Sequence, residues 1–178
     1  VAIHNAYDHY IIPDERKNYK IIHEYPLSGK PPMMTHLFEN HAGHRIIAIK
    51  GAPEALINSS KLSAQDIQLI EKIMLDFASE GYRILAIGES NFDGNQFPKT
   101  QQEFNVTFKG LVAFYDPPKK NINYVLQQFY DAGISVKIVT GDNPITTTSI
   151  AKQIGFKGFD KNLTGDELMK LSDIDLQK

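Results

Sequence analysis

The chain has 178 residues, of which 42% are hydrophobic and 22% charged. With its 12 glycines the apolar share is about 49%, which excludes disorder as the overall state, and at this length about 70% of the unfolded surface can be buried. A net charge of −2, from 19 basic and 21 acidic residues, excludes a dedicated nucleic-acid binder, and the absence of cysteine excludes disulfides and thiolate metal sites.

In chain order, the first clear element is a hairpin. Met33–Glu39 and Arg45–Lys50 are strand-like runs around the turn Asn40-His41-Ala42-Gly43-His44. Ser28-Gly29-Lys30-Pro31-Pro32 before it reads as irregular, because two prolines cannot both serve a sheet interior. A helix is predicted over 64–80, with Ser63 and Asp66 at capping-box spacing, Gly81 at the C-cap, and Ile67, Ile70, Ile73, Met74 and Phe77 on one face. Arg83–Ile87 reads as a buried strand, 88–102 as a loop, and Phe104–Tyr115 as a further strand region.

Asp116-Pro117-Pro118 forms a stiff joint and marks the predicted domain boundary, giving domains 1–115 and 116–178. A helix over 120–131 follows, then a short apolar strand Ser135–Val139, the turn Thr140-Gly141-Asp142-Asn143, and a helix from Pro144 to about Ile154. That order suits a parallel α/β sheet. Thr164 and Glu167 make a capping box for a last helix. No apolar run approaches the ~20 residues of a membrane span, and no signal peptide is visible. Because the chain begins at Val1, the expectation is an excised piece of something longer.

Thr140-Gly141-Asp142-Asn143 carries the clearest chemistry. It is predicted at the carboxyl end of a parallel strand and the start of a helix, where ligands collect and free N–H groups favour an anion. The Thr140 hydroxyl can donate to a phosphoryl oxygen, and Gly141 admits a ligand close to the backbone. The alternative is a plain turn capped by Asn143. Lys50-Gly51-Ala52-Pro53-Glu54 places a cation at a strand end, suited to a nucleotide, or else to solvent. Arg83 can grip a phosphate with two donors or form a surface ion pair. Asp116 is a hinge anchor or an N-cap. His41 and His44 lack the further ligands a zinc site needs.

Taken in order, Lys50-Gly51-Ala52-Pro53-Glu54, Gly81-Tyr82-Arg83-Ile84-Leu85-Ala86, Asp116-Pro117-Pro118-Lys119 and Thr140-Gly141-Asp142-Asn143 resemble the cytoplasmic motifs of P-type cation-transporting ATPases. Leu163-Thr164-Gly165-Asp166-Glu167-Leu168 looks like the segment after them. The resemblance covers about 24–178 and points to the calcium and sodium/potassium branches.

The resemblance implies an α/β chain. Residues 1–115 would be the C-terminal portion of the nucleotide-binding domain, with an antiparallel sheet. Residues 116–178 would be part of a Rossmann-like phosphorylation domain of the haloacid-dehalogenase fold. It implies that Lys50, with Gly51, lines the adenine pocket and that Arg83 reaches the phosphates. Asp116 and Lys119 would belong to the hinge, Thr140 and Gly141 would hold the transferred phosphoryl group, and Asp142 would close the domains on the nucleotide. The family transfers phosphate from Mg-ATP to an aspartate and couples hydrolysis to ion movement. ATP and Mg²⁺ are thus the implied cofactors, with the ion's main ligands elsewhere. The remaining cytoplasmic and transmembrane domains of the parent pump are the implied partners, and the implied place is the cytoplasmic side of a membrane.

The nucleophile motif D-K-T-G-T and the later G-D-G-x-N-D are not in the sequence. The expectation is a fragment that starts inside one domain, stops inside the next and does not turn over ATP alone. Residues 116–178 are expected to be the less stable part, or to self-associate through an unpaired sheet edge. One departure stands out. Where the family has F-S-x-x-R-K before a methionine, this chain has Leu27-Ser28-Gly29-Lys30-Pro31-Pro32-Met33. Leu27 replaces the stacking phenylalanine and Pro31 and Pro32 replace the basic pair, leaving Lys30 and Tyr25 as candidates to compensate. The rival reading that follows is a non-catalytic regulatory or interaction module with a degenerate nucleotide pocket.

Overall fold

A computed structural model describes residues 2–10, 13–94 and 96–176. Helix α1 (Ala2–Tyr10) and a short 3-10 turn (Arg16–Asn18) precede strands β1 (Tyr19–Ser28), β2 (Met33–Asn40) and β3 (Arg45–Gly51). Helices α2 (Pro53–Asn58) and α3 (Ala64–Ser79) follow, then β4 (Arg83–Ser90), a 3-10 turn (Gln101–Glu103) and β5 (Thr107–Phe114). Helices α4 (Ile122–Asp131), α5 (Pro144–Gln153), α6 (Gly165–Leu168) and α7 (Asp173–Leu176) complete the order. The five strands form one sheet in the order β1-β2-β3-β4-β5, and the β1–β2, β2–β3 and β3–β4 pairs are antiparallel. The chain is an α/β protein whose sheet is an antiparallel meander.

The predicted hairpin is β2–β3. Asn40 closes its turn, with Oδ1 accepting from the amides of Ala42 and His44. β1 is an element the sequence reading misses. It is a sheet edge with only Tyr25 buried, and its register shifts between Ile21 and His23 and again between Tyr25 and Ser28. Those irregularities erase the alternation by which a strand is recognised.

The chain divides into two compact units, residues 1–64 with 85–112 and residues 65–84 with 113–178. The last crossing, at Val112–Ala113, lies just before the predicted joint at Asp116; the segment 65–84, read as part of 1–115, groups with the later residues.

In the first unit Met33, Leu37, Ile47, Ile49, Leu56 and Ala86 are almost fully buried, with Phe104 and Val106 beside them. Met33 and Leu37, Ile47 and Ile49, and Ala86 fall on one face of β2, β3 and β4, and Leu56 of α2 belongs to the same cluster. At the chain start, the Arg16 guanidinium lies 4.4 Å from the centre of the Tyr7 ring and bonds both Asp14 oxygens, at 2.8 and 3.0 Å, and Asp8. Hydrogen bonds from the Arg16 side chain, then from its backbone amide, hold the Asp14 carboxyl at about 2. A depressed carboxyl stabilises the fold above its unfolded value and loses that contribution as pH falls through the folded one. Asp14 is therefore expected to stay ionised at pH 3, with a carboxyl NMR titration midpoint near 2. A midpoint near the ordinary value of about 3.9 would mean that the tie does not form in solution.

In the second unit, α5 docks on the C-terminal end of α3. The last carbonyls of a helix lack intrahelical partners; here those of Asp76, Phe77 and Ala78 are taken locally, and α5 supplies donors to Ser79 and to Glu80 and Tyr82 just beyond it. Ser149 Oγ donates to Ser79 O at 2.7 Å, Gln153 Nε2 to Glu80 O at 3.3 Å and Thr146 Oγ1 to Tyr82 O at 3.0 Å. Gly81 turns the chain at φ 88°, as its predicted C-cap role requires. Asn143 caps α5 by accepting from the Ile145 amide at 2.9 Å, with Pro144 at the first helical position. The capping box of α6 forms as predicted, with Glu167 Oε2 accepting from the Thr164 amide at 2.8 Å.

Ser135–Val139 is a correction. It is no strand: none of these residues pairs with another strand among the described residues, and Val139 is 96% exposed. A strand is held by a neighbour that takes its backbone hydrogen bonds, so apolar composition alone does not make one.

Candidate functional site

Arg83 and Asp142 lie far apart in sequence and meet in the second unit. Arg83 Nη2 is 3.0 Å from Asp142 Oδ2, and the arginine side chain remains 55% exposed. The packing described above causes the meeting. Tyr82 is fixed by Thr146 of α5, so Arg83, the next residue, lies beside the turn that leads into that helix. Within the turn the Asp142 amide donates to Thr140 Oγ1 at 3.0 Å, and Thr140 and Gly141 are exposed. A Cβ at Gly141 would meet nothing within 4 Å. The result is an accessible arginine, a hydroxyl and open backbone beside a helix start, a set that can receive an anionic oxygen. The ion pair predicted as the alternative for Arg83 is present, and its partner is another of the predicted site residues.

Lys50 belongs to the first unit. It is exposed on β3, opposite Met34 of β2 and Ile87 of β4, and its ammonium has no partner among the described residues. Neighbouring Gly51 is buried, and a Cβ there would lie 2.7 Å from Met33 Cα and from Pro32 O. Packing therefore demands that glycine. The Ala52 amide donates to Pro32 O at 2.9 Å, and Pro53 opens α2. Asp116 and Lys119 are exposed; the Lys119 carbonyl accepts from the Ile122 amide at 3.0 Å at the start of α4.

Leu27 is 64% exposed, and Lys30 is exposed. Tyr25 cannot compensate for Leu27. It is a core residue whose hydroxyl donates to Pro98 O at 2.5 Å, and burial, then the Glu103 carboxylate, pushes that hydroxyl's pKa up. The side chain that holds this stretch, Gln101, escapes the sequence reading, because a lone glutamine in a polar loop carries no pattern.

Two surface depressions, one at Asn58–Leu62 with Asn105–Phe108 and one at Gly43–Arg45 with Asn91–Asp93, contain none of the predicted site residues. Among the described residues no cluster of three or more His, Asp or Glu could hold a metal ion, and no helix is long and apolar enough to cross a membrane.

The family model for the P-type ATPase cytoplasmic domain N matches residues 1–121. The chain is 28% identical to calcium-transporting ATPase 1 of Saccharomyces cerevisiae, over 97% of the chain and 20% of that protein. It is 32% identical to the sodium/potassium-transporting ATPase subunit alpha-4 of Rattus norvegicus, over 79% of the chain and 16% of that protein. It is 29% identical to a calcium-transporting ATPase of Bacillus subtilis, over 77% of the chain and 17% of that protein. The chain spans a fifth or less of the length of these relatives.

Proposed function

Because the chain belongs to the P-type cation-transporting ATPase family, as a cytoplasmic portion, we propose that it is the ATP-binding region of a pump. That pump would couple ATP hydrolysis, through an aspartyl-phosphate, to cation transport across a membrane. The observation that carries this reading is the 3.0 Å pair of Arg83 and Asp142 beside Thr140 and Gly141. Two separate motif segments meet there, leaving a half-exposed arginine, the Thr140 hydroxyl and the open backbone at Gly141 beside the start of α5. In the proposal Arg83 takes the nucleotide phosphates, Thr140 and Gly141 the transferred phosphoryl group, and Asp142 draws the parts together. Lys50 lines the adenine pocket, and Asp116 and Lys119 form the hinge between a nucleotide-binding domain, 1–115, and a partial Rossmann-like phosphorylation domain, 116–178.

Catalysis in phosphoryl transfer rests on positioning and charge neutralisation, and this chain supplies cations and donors but no D-K-T-G-T nucleophile. It therefore binds ATP without hydrolysing it. Mg²⁺ enters as the ion that accompanies ATP, its main ligands supplied elsewhere in the pump. The other domains of the pump are its partners, and the segment faces the cytoplasm.

Titration of ATP followed by NMR, with Lys50→Ala alongside, tests the reading. The expected dissociation constant is on the order of 1 mM, and binding should weaken at least about tenfold in the variant, as loss of a charged contact implies. The exposed Leu27 favours the rival, a degenerate regulatory module. No ATP binding at several millimolar, by a chain whose spectrum shows it folded, would replace the nucleotide reading with that rival.

A further inference from the structure

Gln101 is 1% exposed, and its amide is spent entirely on one stretch of chain. Its Nε2 lies 2.8 Å from Met33 O, 2.9 Å from Ser28 Oγ and 3.2 Å from Pro26 O, and its Oε1 accepts from Thr35 Oγ1 at 3.0 Å. Burying an amide is costly unless both its ends are paired, and an apolar side chain could fill the same space. The amide does what an apolar group cannot. Between Tyr25 and Ser28 the β1–β2 register breaks, and Gln101 supplies hydrogen bonds to the backbone on both sides of the turn that follows.

The same stretch is tied on its other side to the Lys50 segment. Pro32 O accepts from the Ala52 amide, the Met33 Cα bears on Gly51, and Met34 stands opposite Lys50. One buried side chain therefore sets the path of the segment that carries Leu27 and Lys30 and, through Met33, the seat of Lys50.

We propose that Gln101 is a positioning residue for the adenosine end of the nucleotide, holding residues 26–35 in register with Lys50. The proposal rests on the ATP-binding reading above and deepens it.

The test measures ATP affinity of the full chain for the wild type, Q101L and Q101E. Q101L is expected to bind ATP about tenfold more weakly, the effect of losing the buried hydrogen bonds of its amide. Amide shifts of Gly29 and Lys30 should move without ligand, while hydrogen exchange in β3 stays slow. An ionised carboxylate in Q101E faces the Pro26 and Met33 carbonyls, whereas the neutral acid restores one donor and one acceptor. The affinity gap between Q101E and wild type should therefore narrow as pH falls from about 8 to about 5.5, because burial raises a carboxyl pKa. Near the lower pH Q101E is neutral and isosteric, so it serves if Q101L does not fold. A role confined to stability would lower the melting temperature and leave the affinity of the folded variants, and its pH profile, equal to wild type. That result overturns the proposal and leaves the nucleotide reading intact. Wild type that fails to bind ATP defeats the nucleotide reading and this proposal with it.

Discussion

Gly51→Ala is expected to destabilise the chain by about 3 kcal/mol, the upper end for overpacking a tight site. The added Cβ would sit 2.7 Å from Met33 Cα, from Met33 Cβ and from Pro32 O. Two of those three atoms are backbone, so no flexible side-chain end can swing aside. β3 has to move away from β2 at the position where the Ala52 amide bonds Pro32 O. Urea unfolding should show a lower midpoint at unchanged slope, the mark of a stability change. ATP affinity in the folded fraction should fall too, since Lys50 is the adjacent residue. A wild-type midpoint would mean that the strands have room to spare at Gly51, and a ligand contact would then be the better account of this glycine.

Leu37→Ala is expected to cost about 3 kcal/mol, within the range for truncating a buried leucine. Leu37 is 0% exposed, stands opposite Ile47 and belongs to the cluster that includes Tyr25, Ile49 and Leu56. Neighbours on a paired sheet cannot collapse into the void without bending the ladder. Ile46→Ala is the control. Ile46 points to the other face and is 42% exposed, so its truncation should cost less than about 1.5 kcal/mol by lost burial alone. Equal losses in thermal or urea melts would mean that both faces of the sheet are buried in solution.

Much of the local architecture could be read from particular residues. Gly81 at φ 88° closes α3, Asn143 and Pro144 open α5, and Thr164 with Glu167 caps α6. Each is a short-range device whose hydrogen bonds lie within a few residues, so its signal is confined to a few letters. The buried alternation of β2 and β3 is equally local. The ordered motifs pointed to the family, and the match over residues 1–121 bears that out.

What the sequence determined by itself was therefore the kind of protein, the motif order and the elements whose stops and periods are written in neighbouring residues. Tertiary structure decided the rest. β1 is a strand because β2 pairs with it despite two register breaks, and Ser135–Val139 is not one because no described strand pairs with it. Gly51 is small because Met33 crosses against it, Tyr25 is core because its hydroxyl reaches Pro98, and Arg83 meets Asp142 because α5 caps α3. Gln101 has meaning only through four partners on distant chain. The physical reason is common to all of them: a pairing between remote segments depends on the packing of the whole unit, and no window of neighbouring residues contains it.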